Sequence, residues 1–278
     1  MQANRMKPFT LATTCALTVL ACAVAGAQEI PIEPDRPTNL IGLAVVSMPD
    51  YMGSDDNTGA GAPLFRYQFE GSDRYFTLLG MRAKLNLIDI KVWRAGPILN
   101  RNPGRDSDDI DDEVVKNMET IDAAVEAGIF GEYWFMGGTN ARDRANIGLS
   151  VLTDTDSGDD SDGMHVRFSG TLLRQVLPKA DIVLGAALEY ADDDYMQTYF
   201  GVNAGNVGTS GLPFYEANSG LRDIELTLGG LYYIDKSWMA LGVLRFSQLQ
   251  GDASDSPIVD QRGDDNQWLL GFGAAYMW

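Results

Sequence analysis

His165 is the only histidine in the chain, so serine–histidine or imidazole-ligated metal chemistry must run through it. Ser169 follows four residues on. In an extended segment the two share one face about 13 Å apart, too far for a direct hydrogen bond. Catalysis at His165 therefore needs a serine from a neighbouring strand; the plainer reading is an imidazole held by nearby acids. Acidic residues offer the other chemistry. Asp106, Asp108, Asp109, Asp111, Asp112 and Glu113 form one run, Asp154, Asp156, Asp159, Asp160 and Asp162 a second, and Asp192, Asp193 and Asp194 a third. Carboxylate oxygens suit calcium or magnesium. No run fits the EF-hand spacing: counted from Asp154, the sixth position is Asp159 rather than glycine and the twelfth is His165. The expectation is solvated loop charge, with divalent bridging to lipopolysaccharide phosphates as the alternative, and no resident metal or cofactor. Gly201-Val-Asn-Ala-Gly205 is not read as a phosphate loop, since neither the following Lys-Ser/Thr nor a helix is indicated.

The elements that must position these groups begin after a secretory signal. Arg5 and Lys7 precede the mostly apolar stretch from Phe9 to Val24, and Ala25-Gly26-Ala27 is a cleavage signature. Residues 1–27 are thus expected to be removed; Val19-Leu-Ala-Cys22 is a poorer lipoprotein box. Cys15 and Cys22 both lie in that segment, which leaves no disulfide framework. The formal charge of -18 becomes about -20 in the mature chain, which argues against nucleic acid as a partner.

From there the dominant pattern is alternation. Ile224, Leu226, Leu228 and Tyr232 share one face opposite Asp223, Glu225 and Thr227. Met164, Val166, Phe168 and Leu172 oppose His165, Arg167, Ser169 and Thr171; Ile121, Ala123, Val125, Ala127, Ile129 and Tyr133 oppose Asp122, Glu126 and Glu132. Charge confined to one face of several long strands predicts an all-β transmembrane barrel with a polar interior and a lipid-facing exterior. The last strand is the plainest case. Trp268, Leu270, Phe272, Ala274, Tyr276 and Trp278 alternate with small residues, and the terminal aromatics Phe272, Tyr276 and Trp278 read as a barrel-assembly signal.

Short turns at 70–73, 136–140, 177–179 and 234–236 alternate with long acidic connections at 49–61, 102–118, 154–161, 193–219 and 251–265. Alternation of short periplasmic turns with long outer loops then requires an odd number of strands in 73–101. Three strands, at about 73–79, 82–88 and 90–101, bring the total to twelve, with ten as the alternative if 73–101 divides differently. One domain, residues 28–278, is expected in the Gram-negative outer membrane. Its lumen candidates are Asp122, Glu126, Glu132, His165, Arg167, Glu189, Glu225 and Arg245, which would either line a pore or pair and plug it. Loop candidates for a constriction or recognition surface are Asp192, Asp193, Asp194, Tyr195, Tyr199, Phe200, Phe214 and Tyr215.

Several strings carry a family resemblance. They are Ala191-Asp-Asp-Asp-Tyr-Met-Gln-Thr-Tyr-Phe-Gly-Val202, Ser210-Gly-Leu-Pro-Phe-Tyr-Glu-Ala217 with Gly220-Leu-Arg-Asp223, and Gly251-Asp-Ala-Ser-Asp-Ser-Pro-Ile-Val259. Pro49-Asp-Tyr-Met-Gly-Ser-Asp-Asp56 and Arg94-Ala-Gly-Pro97 belong with them. Over the whole mature chain this resembles the MipA/OmpV family of outer-membrane proteins. The resemblance implies a non-enzymatic barrel that scaffolds the lytic transglycosylase MltA and a bifunctional penicillin-binding protein during peptidoglycan growth. Relatives described as adhesins or permeability proteins leave a surface adhesin or a narrow channel for small polar solutes as alternatives.

Overall fold

A computed structural model describes residues 38–155 and 163–278. The proposed signal, and Asp156, Asp159, Asp160 and Asp162 of the second acidic run, lie outside the described residues. The chain forms a closed antiparallel barrel of twelve strands. They are β1 (Leu40–Pro49), β2 (Asn57–Gln68), β3 (Tyr75–Leu79), β4 (Arg82–Asn86), β5 (Trp93–Asn102), β6 (Ala124–Met136), β7 (Arg144–Asp154), β8 (Met164–Leu177), β9 (Ala180–Ala191), β10 (Gly220–Tyr233), β11 (Trp238–Leu249) and β12 (Asn266–Met277). Each strand pairs with its sequence neighbours, and β12 closes on β1 from Leu40↔Met277 to Ser47↔Leu270. The segment 73–101 holds the three expected strands, but β3 and β4 have five residues each rather than seven. Asn86 ends β4: its side chain donates to the Asp73 and Ile88 carbonyls and accepts from the Ile88 and Ala95 amides, taking the place of a backbone ladder.

Sidedness is the inverse of a soluble protein. Leu43 and Val45 are each 70% exposed and Ile129 68%, whereas Glu189 is 2% exposed. A wall facing hydrocarbon outward and packed side chains inward requires this reversal. Aromatic pairs mark two levels of the outer face. Trp238–Tyr276 and Trp93–Tyr133 lie near the end that carries the short turns and both strand termini, here the base, and Phe246–Trp268 lies near the top. Phe272, Tyr276 and Trp278 all face outward on β12.

The interior is polar only in part. In the base half, inward side chains of seven strands form one apolar cluster. Leu40, Leu173, Leu231, Tyr233, Met239 and Met277 are all buried in it. Beside it Arg66 lies over the Tyr75 ring at 4.0 Å and Arg94 over the Trp134 ring at 4.1 Å. A water-wide channel would expose the side chains along it. These are not exposed; the lower half mixes apolar packing with buried charges such as Arg66, Glu132 and Asp181 and leaves no wetted path among the described residues.

The top is closed by a folded lid. Two helices, α1 (Asp193–Phe200) and α2 (Ala204–Ser210), occupy the β9–β10 connection, and a short helix, α3 (Pro257–Asp260), the β11–β12 connection. The absence of helix expected around 201–205 is therefore corrected. The Asn203 side chain accepts the Asn206 amide to cap α2, and Gly211 at φ 76° ends it. Met196, Phe200, Leu249 and Val259 pack in one lid cluster, and Tyr51, Val115, Val202 and Ile258 in another.

Candidate functional site

The charged residues of the upper lumen converge because their strands align in register. Glu189 of β9 pairs with Arg167 of β8 on one side and Asp223 of β10 on the other. Arg167 donates from Nη1 to Glu189 at 2.5 Å and from Nη2 to Glu225 at 2.7 Å. Arg222 reaches Glu189 at 3.2 Å and Asp223 at 2.7 Å. His165 stands between Glu126, at 3.2 Å from Nε2, and Glu189, beside Nδ1. Both are close nitrogen–carboxylate approaches whose angles do not make aligned hydrogen bonds. Glu126 also accepts from Asn100 at 2.7 Å and Asn102 at 3.1 Å. Burying this many charges is costly unless each is paired, and here the acids are bracketed by cations or amide donors.

Of the eight lumen candidates, the network joins Glu126, His165, Arg167, Glu189 and Glu225. Arg245 borders it, 3.5 Å from Glu225. Glu132 lies apart, accepting from Lys84 at 2.6 Å and Trp134 at 3.1 Å. Asp122 is a correction: β6 starts only at Ala124, so Asp122 belongs to an exposed connection, because the Arg105↔Ile121 bridge replaces the strand there. The Ser169 hydroxyl turns to the Gly148 carbonyl, away from His165.

Four residues escape simple parity: Arg222, Arg82, Lys84 and Arg142. Arg222 should face lipid by alternation, but a register shift between Leu221 and Asp223 turns it inward. Arg82 and Lys84 sit on a strand too short to show a pattern. The Arg142–Asp181 pair at 2.8 Å, joined by the Tyr233 hydroxyl, closes the base beside a turn; Asp181, on the strand face opposite Ile182 and Leu184, was within reach of the alternation.

Beside the network lies a cavity of about 510 Å³ that runs from Tyr195 of the lid down to Leu64, Val183 and Leu231 of the base cluster. One wall is charged, with Arg82, Glu126, Arg167 and Glu225; the facing wall is small and apolar, with Ala44, Ala62, Val46 and Leu241. Tyr195 of α1 roofs it, 5.1 Å from the His165 ring.

The loop candidates divide. Tyr195, Tyr199 and Phe200 are buried in the lid, Tyr215 is half-buried, and Phe214 is exposed. Asp192 caps α1 by accepting the Tyr195 amide, and Asp193 accepts the Ser219 amide at 2.5 Å. Asp193 and Asp194 lie in the first turn of α1, where negative charge is favourable. Burial pushes the phenols of Tyr51, Tyr195 and Tyr199 well above their usual range, and Tyr215 up to about 12. Burial draws Arg105 down to about 10, with one guanidinium nitrogen donating to the Tyr199 carbonyl at 3.3 Å. Asp112 behaves oppositely: burial would raise it, but the Arg262 guanidinium and the Val114 and Val115 amides outweigh that and hold it below the usual range.

Residues 41–278 match the family model described as MltA-interacting protein MipA. Outer membrane protein OmpV of Vibrio cholerae serotype O1 is 34% identical over 99 residues, 35% of this chain and 36% of that protein. Outer membrane protein Omp26La of Vibrio anguillarum is 32% identical over 102 residues, 36% of this chain and 37% of that protein. The chain thus spans little more than a third of the length of these relatives. Among solved structures, a bacterial polysaccharide outer membrane secretin gives a TM-score of 0.42 at 11% identity, covering 87% of this chain and 99% of that one. OprB of Pseudomonas putida gives 0.36 at 12% identity, covering 79% and 59%. The closed barrel, its apolar outer face and the outer-membrane relatives place the chain in the outer membrane. The chain belongs to the MltA-interacting protein MipA family.

Proposed function

We propose that this barrel is a non-enzymatic scaffold of the peptidoglycan-synthesising machinery, holding a lytic transglycosylase of the MltA class and a penicillin-binding protein at its periplasmic base. The carrying observation is occlusion. The lower lumen is filled by the Leu40–Tyr233–Met277 cluster and the top is covered by the lid. A barrel filled in this way has its outer surfaces to offer, and the channel reading needs a through path that the base cluster does not leave. The base carries a groove of about 690 Å³ lined by Asn39, Gln68, Glu70, Asp89, Lys91 and Trp278, of a size to receive a partner's loop. Within this reading, Phe272, Tyr276 and Trp278 act earlier, as the outward-facing assembly signal. The full chain in detergent should retain a purified MltA-class transglycosylase in a pull-down, and Glu70→Lys with Lys91→Glu should weaken retention without unfolding the barrel. Failure of the wild-type chain to retain the transglycosylase sinks the proposal.

A further inference from the structure

The barrel wall has a gap on one side. β1 and β2 stay paired up to Pro49↔Asn57, but β2 and β3 pair only from Gln68↔Tyr75 to Leu64↔Leu79. The turn then closes, with the Gly80 amide donating to the Pro63 carbonyl at 2.8 Å. Asn57–Ala62 therefore has no strand on that side until β5, because the β3–β4 hairpin ends first. Five residues at about 3.3 Å each, tilted by about 40°, rise roughly 13 Å, about half of a ~25 Å apolar band. A spanning strand needs about 9–11 residues.

The gap lies in the outer-leaflet half. On β12 the outward aromatics run from Tyr276 at the base to Trp268 at the top; the same number of residues on β2 runs from Tyr67 to Gly59. Gly59 and Gly61 are exposed, and a Cβ added at either meets no atom within 4 Å. Above the gap the connection after β5 crosses to the β1–β2 turn, where the Asp111 amide donates to Asp50 at 3.1 Å and Ile110 packs with Tyr51, so the opening is bounded on top by this loop. The cavity reaches the gap, since Ala60, Gly61, Gly80 and Met81 are among its lining. An unpaired strand edge at this depth is tolerated only where water or another polar group meets it.

The charges at this opening differ from those deeper in. The inner arginines are engaged at 2.5–3.2 Å. Arg82, which lines the cavity just inside the hairpin tip, donates to Asn100 Oδ1 at 3.5 Å and faces Glu126, Glu189 and Glu225 at longer range across the cavity. Arg101 is exposed on the outer rim, its amide bonded to the Met81 carbonyl at 2.9 Å. The deeper carboxylates are bonded to Arg167 and Arg222, and of the five guanidinium donors of Arg82 one meets Asn100, so Arg82 and Arg101 are the two cations that flank the opening with donors for an anion.

We propose that this gap is a lateral portal through which the barrel takes a single-chain anionic amphiphile, a long-chain carboxylate, from the outer leaflet. Arg82 holds the carboxylate, Arg101 receives it at the rim, and the hydrocarbon chain lies along Ala62, Leu79 and Leu241. A volume of about 510 Å³ falls within the roughly 300–1,000 Å³ of small-ligand sites and suits one chain rather than a multi-chain lipid. The inference stands independently of the scaffold reading, whose partners dock at the opposite end.

The test is binding of tritiated palmitate to the full chain in nanodiscs. Saturable, one-per-barrel binding is expected, displaced by unlabelled palmitate but not by equal concentrations of hexadecanol, hexanoate or inorganic phosphate. Arg82→Gln should weaken binding by at least about tenfold, the loss of one charged hydrogen-bonding partner, while Arg82→Lys keeps most of it. Gly61→Trp, which has room outside the wall, should slow association severalfold with the barrel still folded. The proposal is overturned by absence of saturable binding, by equal competition from hexadecanol or phosphate, by an unchanged Arg82→Gln, or by an unchanged association rate in Gly61→Trp. If Arg82→Gln fails to fold, the hexadecanol comparison on wild type decides whether the head-group charge is read.

Discussion

Replacing Arg167 by methionine should be among the most damaging single changes in the barrel wall, and the damage should fall on one identifiable carboxylate. The substitution keeps length and removes two charge-assisted hydrogen bonds, at 2.5 Å to Glu189 and 2.7 Å to Glu225. Each is worth about 1.5–3 kcal/mol. Breaking a buried pair by removing one partner costs about 3–5 kcal/mol, because the remaining charge stays buried. We therefore expect about 3–5 kcal/mol. The two stranded acids are not equivalent. Glu189 keeps Arg222 at 3.2 Å and His165 beside it, whereas Glu225 keeps only the looser Arg245 contact at 3.5 Å. Glu225→Gln in the Arg167→Met background should then recover about half the loss or more, and Glu189→Gln should recover little, because it frees Arg222 and His165 in turn. The assay is urea unfolding of the barrel refolded into lipid vesicles, followed by tryptophan emission, with the double mutants read as a cycle. A cost below about 1 kcal/mol, or equal rescue by Glu189→Gln, refutes the assignment of Glu225 as the dependent member.

Two further predictions address the ends of the barrel. Asp112→Ala should loosen the lid by about 1–2 kcal/mol, from lost contacts to the Val114 and Val115 amides and a partly exposed ion pair to Arg262. Because the folded Asp112 is held below its ordinary value, its contribution is full above pH about 4 and is lost as pH falls further; rate-corrected hydrogen exchange over 106–118 should show protection falling with acid in wild type but not in the mutant, and equal protection in both disproves the role. Wild type should be silent in planar bilayers, whereas Tyr233→Ala with Met239→Ala, removing two fully buried side chains from the base cluster at about 2–5 kcal/mol each, should yield discrete conductance steps; steps from wild type would show that the base is not closed.

Much of this molecule is legible because lipid imposes a two-residue period on any strand that crosses it. Ile224, Leu226 and Leu228 had to face out, so Glu225 had to face in, and the same parity assigned His165, Arg167 and Glu189 before any contact was known. Parity assigns a face but not a depth. It does not show that Leu173 and Leu231 lie at the base of the lumen while Glu189 and Glu225 lie near its top, since depth depends on stagger between strands. It fails outright at Arg222, where one bulge residue reverses the face, and at Asp122, where the alternation continues past the true end of the strand. The lid helices were missed for another reason: α1 and α2 are short, and each relies on a cap and on packing against loops distant in sequence.

The lid and the lumen together invert the usual arrangement twice. Lipid forces apolar side chains to the outside of the wall, so the interior receives the charges, and those charges pack only by neutralising one another. The loops above have water outside and can form an ordinary apolar core, which Met196, Phe200 and Ile258 supply. The cavity lies beneath Tyr195 and beside the Arg167 network, with Leu64, Val183 and Leu231 of the base cluster as its floor. The five-residue β3–β4 hairpin stops beside it, with Gly80 and Met81 at the cavity edge, so the gap in the wall opens onto the cavity. The hairpin length and the cavity position are therefore coupled: lengthening β3 and β4 by four residues each, to spanning length, should close the lateral opening while leaving the base cluster and the lid intact.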